Sequence, residues 1–158
     1  MRIYIASDHA GFELKHHLVN FLEENGLDVT DRGPHEYVAG DDYPDYVSLA
    51  AEEVSLNPVH ARAIVIGLTG QGEAIVANKF KNVRAGVYYG APYEIITLMR
   101  EHNDTNVLAL GAKFLTPEQA EKMVDLWIDT QFSGDERHQR RIEKISKIES
   151  KIESQKKV

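Results

Sequence analysis

At 158 residues, with 42% hydrophobic and 27% charged residues, the chain is the size of one domain able to bury a substantial core. No apolar run nears the ~20 residues of a membrane span, and the lack of cysteine excludes disulfides, thiolate zinc sites and a cysteine nucleophile. A net charge of −7 argues against nucleic acid, and although residues 136–158 hold eight Lys/Arg against four Asp/Glu, Glu143, Glu149 and Glu153 alternate with the lysines as on a solvated helix.

The opening MRIYIASDHAG leads straight into strand-like alternation without the pattern of a signal peptide, which points to a cytoplasmic protein. Residues 2–6 read as a strand. Residues 11–25 read as a helix, with Phe12, Leu14, Leu18 and Phe21 or Leu22 at helical spacing and Gly26 as its stop. A strand over 27–30 and a helix over 43–55 follow. Residues 63–67 (AIVIG) are apolar on both faces, as in a strand inside a parallel sheet. A helix over 73–80, a strand over 84–88, a helix over 92–102, a strand over 106–110 and a helix over 117–130 complete the alternation.

This order predicts an α/β fold, a Rossmann-like three-layer αβα sandwich around a parallel sheet of about five strands. Ligands of such sheets bind at the carboxyl ends of the strands. Residues 1–134 make up the domain proper. Residues 135–158 add a C-terminal helix of the same domain, with Ile142, Ile145, Ile148 and Ile152 at helical steps and a short echo, KIES, at 147–150 and 151–154. That helix either docks on a partner subunit or packs on its own domain.

Three polar clusters are expected to share one end of the sheet: Asp8-His9, the loop GLTGQGE at 67–73, and His102-Asn103. The glycine loop lacks both the GK[ST] of a nucleotide P-loop and the third glycine of a dinucleotide fingerprint, so neither ATP nor NAD is indicated. What is left is a strand, a glycine turn and a helix start, whose free N–H groups suit an anion such as a phosphate or an enediolate. Taken singly, each group has an ordinary explanation. Glu73 complements the helix dipole, Asp8 caps a helix with His9 in a turn, and His102-Asn103 ends a helix. Arg137 and Arg141 lie four apart on one helical face, which suits either a phosphate or plain solvation. The seven histidines show no metal-ligand spacing, so no metal is expected.

The segments SDHAGFELK at 7–15, DDYPDY at 41–46, GQGEAIVANK at 70–79, VRAGV at 83–87, REHNDTNVLALGAK at 100–113 and RHQRRIEKI at 137–145 together resemble the ribose-5-phosphate isomerase B family, which also contains galactose-6-phosphate isomerase subunits. The resemblance spans nearly the whole chain. It implies a homodimer or a dimer of dimers, with active sites built from both subunits, acting in the pentose phosphate pathway. Many members carry a catalytic cysteine where this chain has Gly67, whereas a second branch uses a glutamate at the position of Glu73. By the same resemblance Thr69 moves protons between substrate oxygens, Asn103 and the N–H groups of Gly70, Gln71 and Gly72 steady an enediolate, and His102, His9 and Asp8 open the sugar ring. Arg137 and Arg141 form a phosphate clamp, Tyr43 lines the pocket and His138 is a further substrate-binding residue. Two residues depart from the pattern: Leu68 replaces a small residue, and Lys113 stands where the glutamate branch often has an arginine, which loses two-pronged geometry but keeps the charge.

Aldose–ketose exchange needs a base, an oxyanion site and a proton carrier, but no redox cofactor, so none is expected. Burial beside Leu68 and Ile75 is the expected means of raising Glu73 toward working pH. Alternatives are a four-carbon or six-carbon sugar phosphate as substrate, a non-catalytic sugar-phosphate-binding subunit, and a flavodoxin-like binding module suggested by fold alone.

Overall fold

The computed structural model describes residues 1–90 and 92–155, so positions 156–158 of the expected C-terminal helix lie outside the described residues. Five strands, β1 (Arg2–Ser7), β2 (Asp28–Asp31), β3 (Ala61–Gly67), β4 (Ala85–Tyr88) and β5 (Val107–Gly111), form one wholly parallel sheet in the order β2-β1-β3-β5-β4. The helices are α1 (Phe12–Glu24), α2 (Tyr43–Leu56), α3 (Gln71–Ala77), α4 (Glu94–Asn103), α5 (Pro117–Asp129) and α6 (Glu136–Gln155). Each expected element is present within a few residues of its expected ends. A 3₁₀ turn over Ala112–Phe114 was not anticipated from the pattern.

Alternation within the strands sorts the core into two unlike halves. Ile3, Ile5, Ile64, Ile66, Leu108 and Leu110 project to one face, where Leu14, Leu18 and Leu22 of α1, Ile96 and Met99 of α4, and Met123 and Trp127 of α5 cover them. Ala6, Ala63, Val65 and Ala109 project to the other, against Val47, Ala50, Ala51 and Val54 of α2 and Ala74 and Ala77 of α3. Small side chains on both sides let α2 and α3 lie close to the sheet, while the bulky face supplies most of the buried apolar area, at about 1.5–3 kcal/mol per large side chain. Trp127 is fully buried and its indole N–H donates to Thr105 Oγ1 at 2.9 Å, so its one polar atom is satisfied.

Connections leave β1 and β3 in opposite directions: β1 leads through α1 to β2 on one side, and β3 leads through α3 to β4 on the other. The gap between the carboxyl ends of β1 and β3 is therefore the switch point at which such sheets bind ligands. Helices run back against the strands, so α4 delivers its C-terminus to the opposite, amino edge. There Arg84, just before β4, donates from Nε to the carbonyls of Asn103 and Asp104 at 3.0 and 2.9 Å. The amino edge is crossed by α6: Ser133 N–H donates to Glu101 O near its start, and farther along Glu149 accepts from Asn82 N–H and Glu153 pairs with Lys81 at 2.8 Å.

His102 and Asn103 therefore do not share an end of the sheet with Asp8-His9 and the glycine loop, contrary to expectation. The pair precedes β5 instead of following β4, and a helix antiparallel to the strands ends where they begin. With seven residues in β3, at ~3.3 Å per residue, about 20 Å of sheet separates the two groups.

Candidate active site

At the carboxyl edge, Asp8 lies directly after β1. Its Oδ1 accepts from the N–H groups of Ala10 and Gly11 at 3.0 and 3.1 Å, closing the turn into α1. Asp8 closes the turn ahead of α1 and does not cap the helix, whose N-cap is Gly11 without a side-chain hydrogen bond, and the turn uses only one oxygen of a buried carboxylate. His9 is held by Asp41, whose Oδ1 accepts from both His9 N–H at 2.8 Å and His9 Nδ1 at 2.7 Å. That hydrogen bond raises the imidazole above its ordinary pKa against the opposing effect of desolvation, and Asp8 adds to the rise.

Across the switch point, β3 ends at Gly67 and the loop 68–70 turns into α3. Gly70 sits at φ 75°, a left-handed conformation that glycine adopts at low cost. Thr69 Oγ1 accepts from Gln71 N–H at 3.4 Å. Tyr43, at the start of α2, lays its ring on Gly72, where a Cβ would come within 2.7 Å of the ring. Lys113, on the 3₁₀ turn after β5, donates its backbone N–H to Leu68 O at 3.1 Å, so its exposed side chain belongs to this edge.

Glu73 is only 4% exposed. Its carboxylate occupies the volume that a side chain at position 67 would fill, since a Cβ built on Gly67 would overlap it. Burial raises Glu73 above its ordinary pKa, the negative charge of Asp8 acts in the same direction, and the N–H groups of Glu73 and Gly70 oppose it. The expected cause needs correction in its details: Leu68 and Ile75 are 50% and 61% exposed and do not enclose the carboxylate. Ile75 leaves α3 on the solvent side, and the close approach to glycine at 67 does what an apolar lid was expected to do.

The amino edge holds a second cluster. His102 stacks on His138 with ring centroids 4.2 Å apart and planes at 12°. His138 is buried at the start of α6 and is lowered from its ordinary pKa, first by desolvation and then by the positive charges of His102 and Arg137. Asn103, Arg137 and Arg141 are exposed around this stack. Within one chain, then, Asp8, His9, Tyr43, Leu68, Thr69, Gly70, Gln71, Gly72, Glu73 and Lys113 gather at one edge, while His102, Asn103, Arg137, His138 and Arg141 gather at the other.

Two features of this edge are not legible in the sequence. Asp41 lies in the segment DDYPDY, where the local signal is a pair of acids just ahead of a helix start. Gly67 was noted for the side chain it lacks, whereas its structural part is to make room for Glu73. Asp8, His9 and Asp41 also offer carboxylate and imidazole atoms within 4.8 Å of one another. Asp41 Oδ1 and His9 Nδ1 are hydrogen-bonded to each other, while Asp8 Oδ1 is engaged by backbone N–H groups. Among the described residues no helix is long and apolar enough to cross a membrane.

Residues 3–145 match the ribose/galactose isomerase family. A ribose-5-phosphate isomerase B of Escherichia coli is 42% identical over 150 residues, covering 95% of this chain and 97% of that protein. The crystal structure of ribose-5-phosphate isomerase B from Mycoplasma genitalium with bound ribulose-5-phosphate superposes with a TM-score of 0.90 at 39% identity, covering 94% and 96% of the two chains. The enzyme of the same name from Clostridium thermocellum gives 0.89 at 40% identity, over 96% and 99%.

Proposed function

Because the chain belongs to the ribose/galactose isomerase family, we propose that it is an aldose–ketose isomerase interconverting ribose 5-phosphate and ribulose 5-phosphate, with Glu73 as the base. The observation that carries the assignment of the base is the buried carboxylate seated over Gly67, in the space that a side chain at position 67 would fill. A carboxylate raised by burial is a better base than one in water, and it faces the switch point where substrate would lie.

In the forward direction Glu73 takes the proton from C2 of the open-chain aldose, the electron pair moves into an enediolate, and the carboxylic acid so formed returns the proton to C1. The N–H groups of Gly70, Gln71 and Gly72 meet the negative charge that develops on the oxygens, a preorganised arrangement that costs no reorganisation at the moment of reaction. Thr69 passes a proton between O1 and O2. Asp8 and His9 act before this step, on the ring oxygen and the anomeric hydroxyl. Lys113 adds a point charge at the mouth of the site.

Asn103, His102, Arg137, His138 and Arg141 cannot reach the same substrate from the far edge of their own sheet. In a two-fold pair each copy presents its amino edge to the carboxyl edge of the other, and two complete sites result. The homodimer is accordingly part of the proposal, supported by the split of the residue set between opposite edges. The phosphate, gripped by the partner's arginines, is then a remote handle whose binding energy orients C1 and C2 against Glu73.

The test is a coupled assay in EDTA that offers ribose 5-phosphate beside four-carbon and six-carbon aldose phosphates. Turnover is expected to be fastest with ribose 5-phosphate. Preference for another chain length would move the substrate assignment and implicate Leu68 and Lys113. Failure to turn over any of them would overturn the isomerase.

A further inference from the structure

Asp41 is placed by a loop that the fold fastens with unusual care. Residues 32–42 join β2 to α2. At the start of the loop the fully buried Lys15 donates to Asp31 Oδ2 at 2.5 Å and to Pro34 O at 2.7 Å. Arg32 pairs with Glu53 of α2. Tyr37 sets its ring edge-on to Phe12 at 5.7 Å and to His9 at 6.5 Å, and Asp41 N–H donates to Val38 O. The consequence is a carboxylate held in one position beneath His9, with its side chain only 6% exposed.

A buried carboxylate is costly unless a cation or several donors meet it. Asp41 Oδ1 takes both its donors from His9, and Oδ2 is buried with no hydrogen-bond partner. Among the described residues the structure gives Asp41 one ion-pair partner, and that partner is His9. Within one chain, among the described residues, the groups facing the imidazole are Asp41 from the β2–α2 loop, Asp8 from its own turn and the ring of Tyr37; in the proposed dimer the partner's arginines add positive charge at this edge, which the carboxylates of Asp41 and Asp8 offset.

We propose that Asp41 is a positioning residue for the isomerase reaction: by binding His9 N–H and Nδ1 through one oxygen, it fixes the ring and keeps it as an imidazolium whose Nε2 donates into the site. Asp41 acts wholly through His9 and touches no substrate atom. An imidazolium at this place gives the site a proton donor for the ring oxygen of the cyclic sugar, the ring carbon–oxygen bond breaking as that oxygen takes the proton, while the anomeric hydroxyl loses its own proton to a neighbouring carboxylate such as Asp8. This assignment rests on the proposed isomerase activity for its catalytic half, but the state of His9 can be read without any turnover.

Asp41→Asn keeps an oxygen to accept both hydrogen bonds and removes the charge; Asp41→Glu keeps the charge. Titrating the His9 ring by NMR in EDTA should show the midpoint of the parent falling in Asp41→Asn and largely recovering in Asp41→Glu. In the coupled assay, the alkaline limb of kcat/KM should move to lower pH in Asp41→Asn, with kcat down roughly tenfold above neutrality and KM little changed. A pH profile and a His9 titration that superpose on the parent's would overturn the proposal, leaving Asp41 a loop anchor. If Asp41→Asn does not fold, the parent decides alone: a His9 midpoint at or below its value in the urea-unfolded chain overturns it. A shifted titration in a protein that isomerises no sugar phosphate would instead sink the activity and leave the Asp41–His9 device standing.

Discussion

Glu73 and Gly67 form a single unit at the level of residues, because one supplies the carboxylate and the other the space for it. Glu73→Gln keeps the shape and removes the proposed base, so kcat should fall by at least ~10²-fold, with KM for ribose 5-phosphate close to the parent's. Retained turnover would remove Glu73 from the mechanism. The same variant tests what burial costs the fold. Its raised pKa means that the folded state holds the Glu73 proton more tightly than the unfolded chain, so Glu73 favours folding below its unfolded pKa, and that contribution is lost as pH rises through the folded value. Glu73→Gln should therefore melt higher than the parent near pH 8 and no higher near pH 3, a stability gained at the expense of function. Gly67→Ala places a methyl group where the carboxylate lies, and should lower kcat as Glu73→Gln does while abolishing the pH-dependent gain, since Glu73 would be pushed toward water.

Among the elements, α6 shows most plainly what the sequence could and could not tell. Its periodic isoleucines announced a helix, and Glu136–Gln155 is one, yet Ile145, Ile148 and Ile152 are 46%, 59% and 49% exposed on the single chain. The helix is held at its start by the His102–His138 stack. Because His138 is lowered, the unfolded chain takes its proton first as pH falls; the stabilising contribution is present above the ordinary histidine range and is lost below it. Protection factors along α6, that is, exchange rates relative to the intrinsic rate at the same pH, should accordingly fall between pH 7.5 and 5.5, and His138→Phe, which keeps a ring to stack, should flatten that dependence. Equal protection factors at both pH values would show that the stack does not anchor the helix. Strands and helices were legible because hydrophobic period and glycine stops are local signals. Asp8, His9 and the loop 67–73 were placed correctly because each follows directly on its strand. His102 and Asn103 were placed wrongly because the direction of α4, and not position in the chain, decides which edge they reach. Asp41 carried only the local signal of an acid pair ahead of a helix, which does not point to its partner: His9 is 32 residues away, brought near by the parallel pairing of β1 with β2 and the fastened loop after it.

For the whole molecule, the separation of the two residue clusters by the height of the sheet makes a prediction that no single-chain enzyme would obey. A subunit carrying Glu73→Gln lacks the base at its carboxyl edge but retains intact arginines at its amino edge. A subunit carrying both Arg137→Ala and Arg141→Ala retains the base and lacks the clamp; losing two charge-assisted contacts at ~1.5–3 kcal/mol each should cut kcat/KM by at least ~10²-fold. Each protein alone is then nearly inactive at low substrate. In a mixed dimer, one site combines the intact base of the second subunit with the intact arginines of the first, while the other site carries every defect. Equal mixing with random exchange makes half the dimers mixed, each with one working site, so activity should recover to about a quarter of the parent's. Native mass spectrometry gives the fraction of mixed dimers against which the recovery is read. Recovery in proportion to that fraction requires that the arginines and the glutamate of one site come from different chains. No recovery, with mixed dimers plainly present, would mean that each chain completes its own site, and the α6 arginines would then have to be removed from the substrate's phosphate altogether.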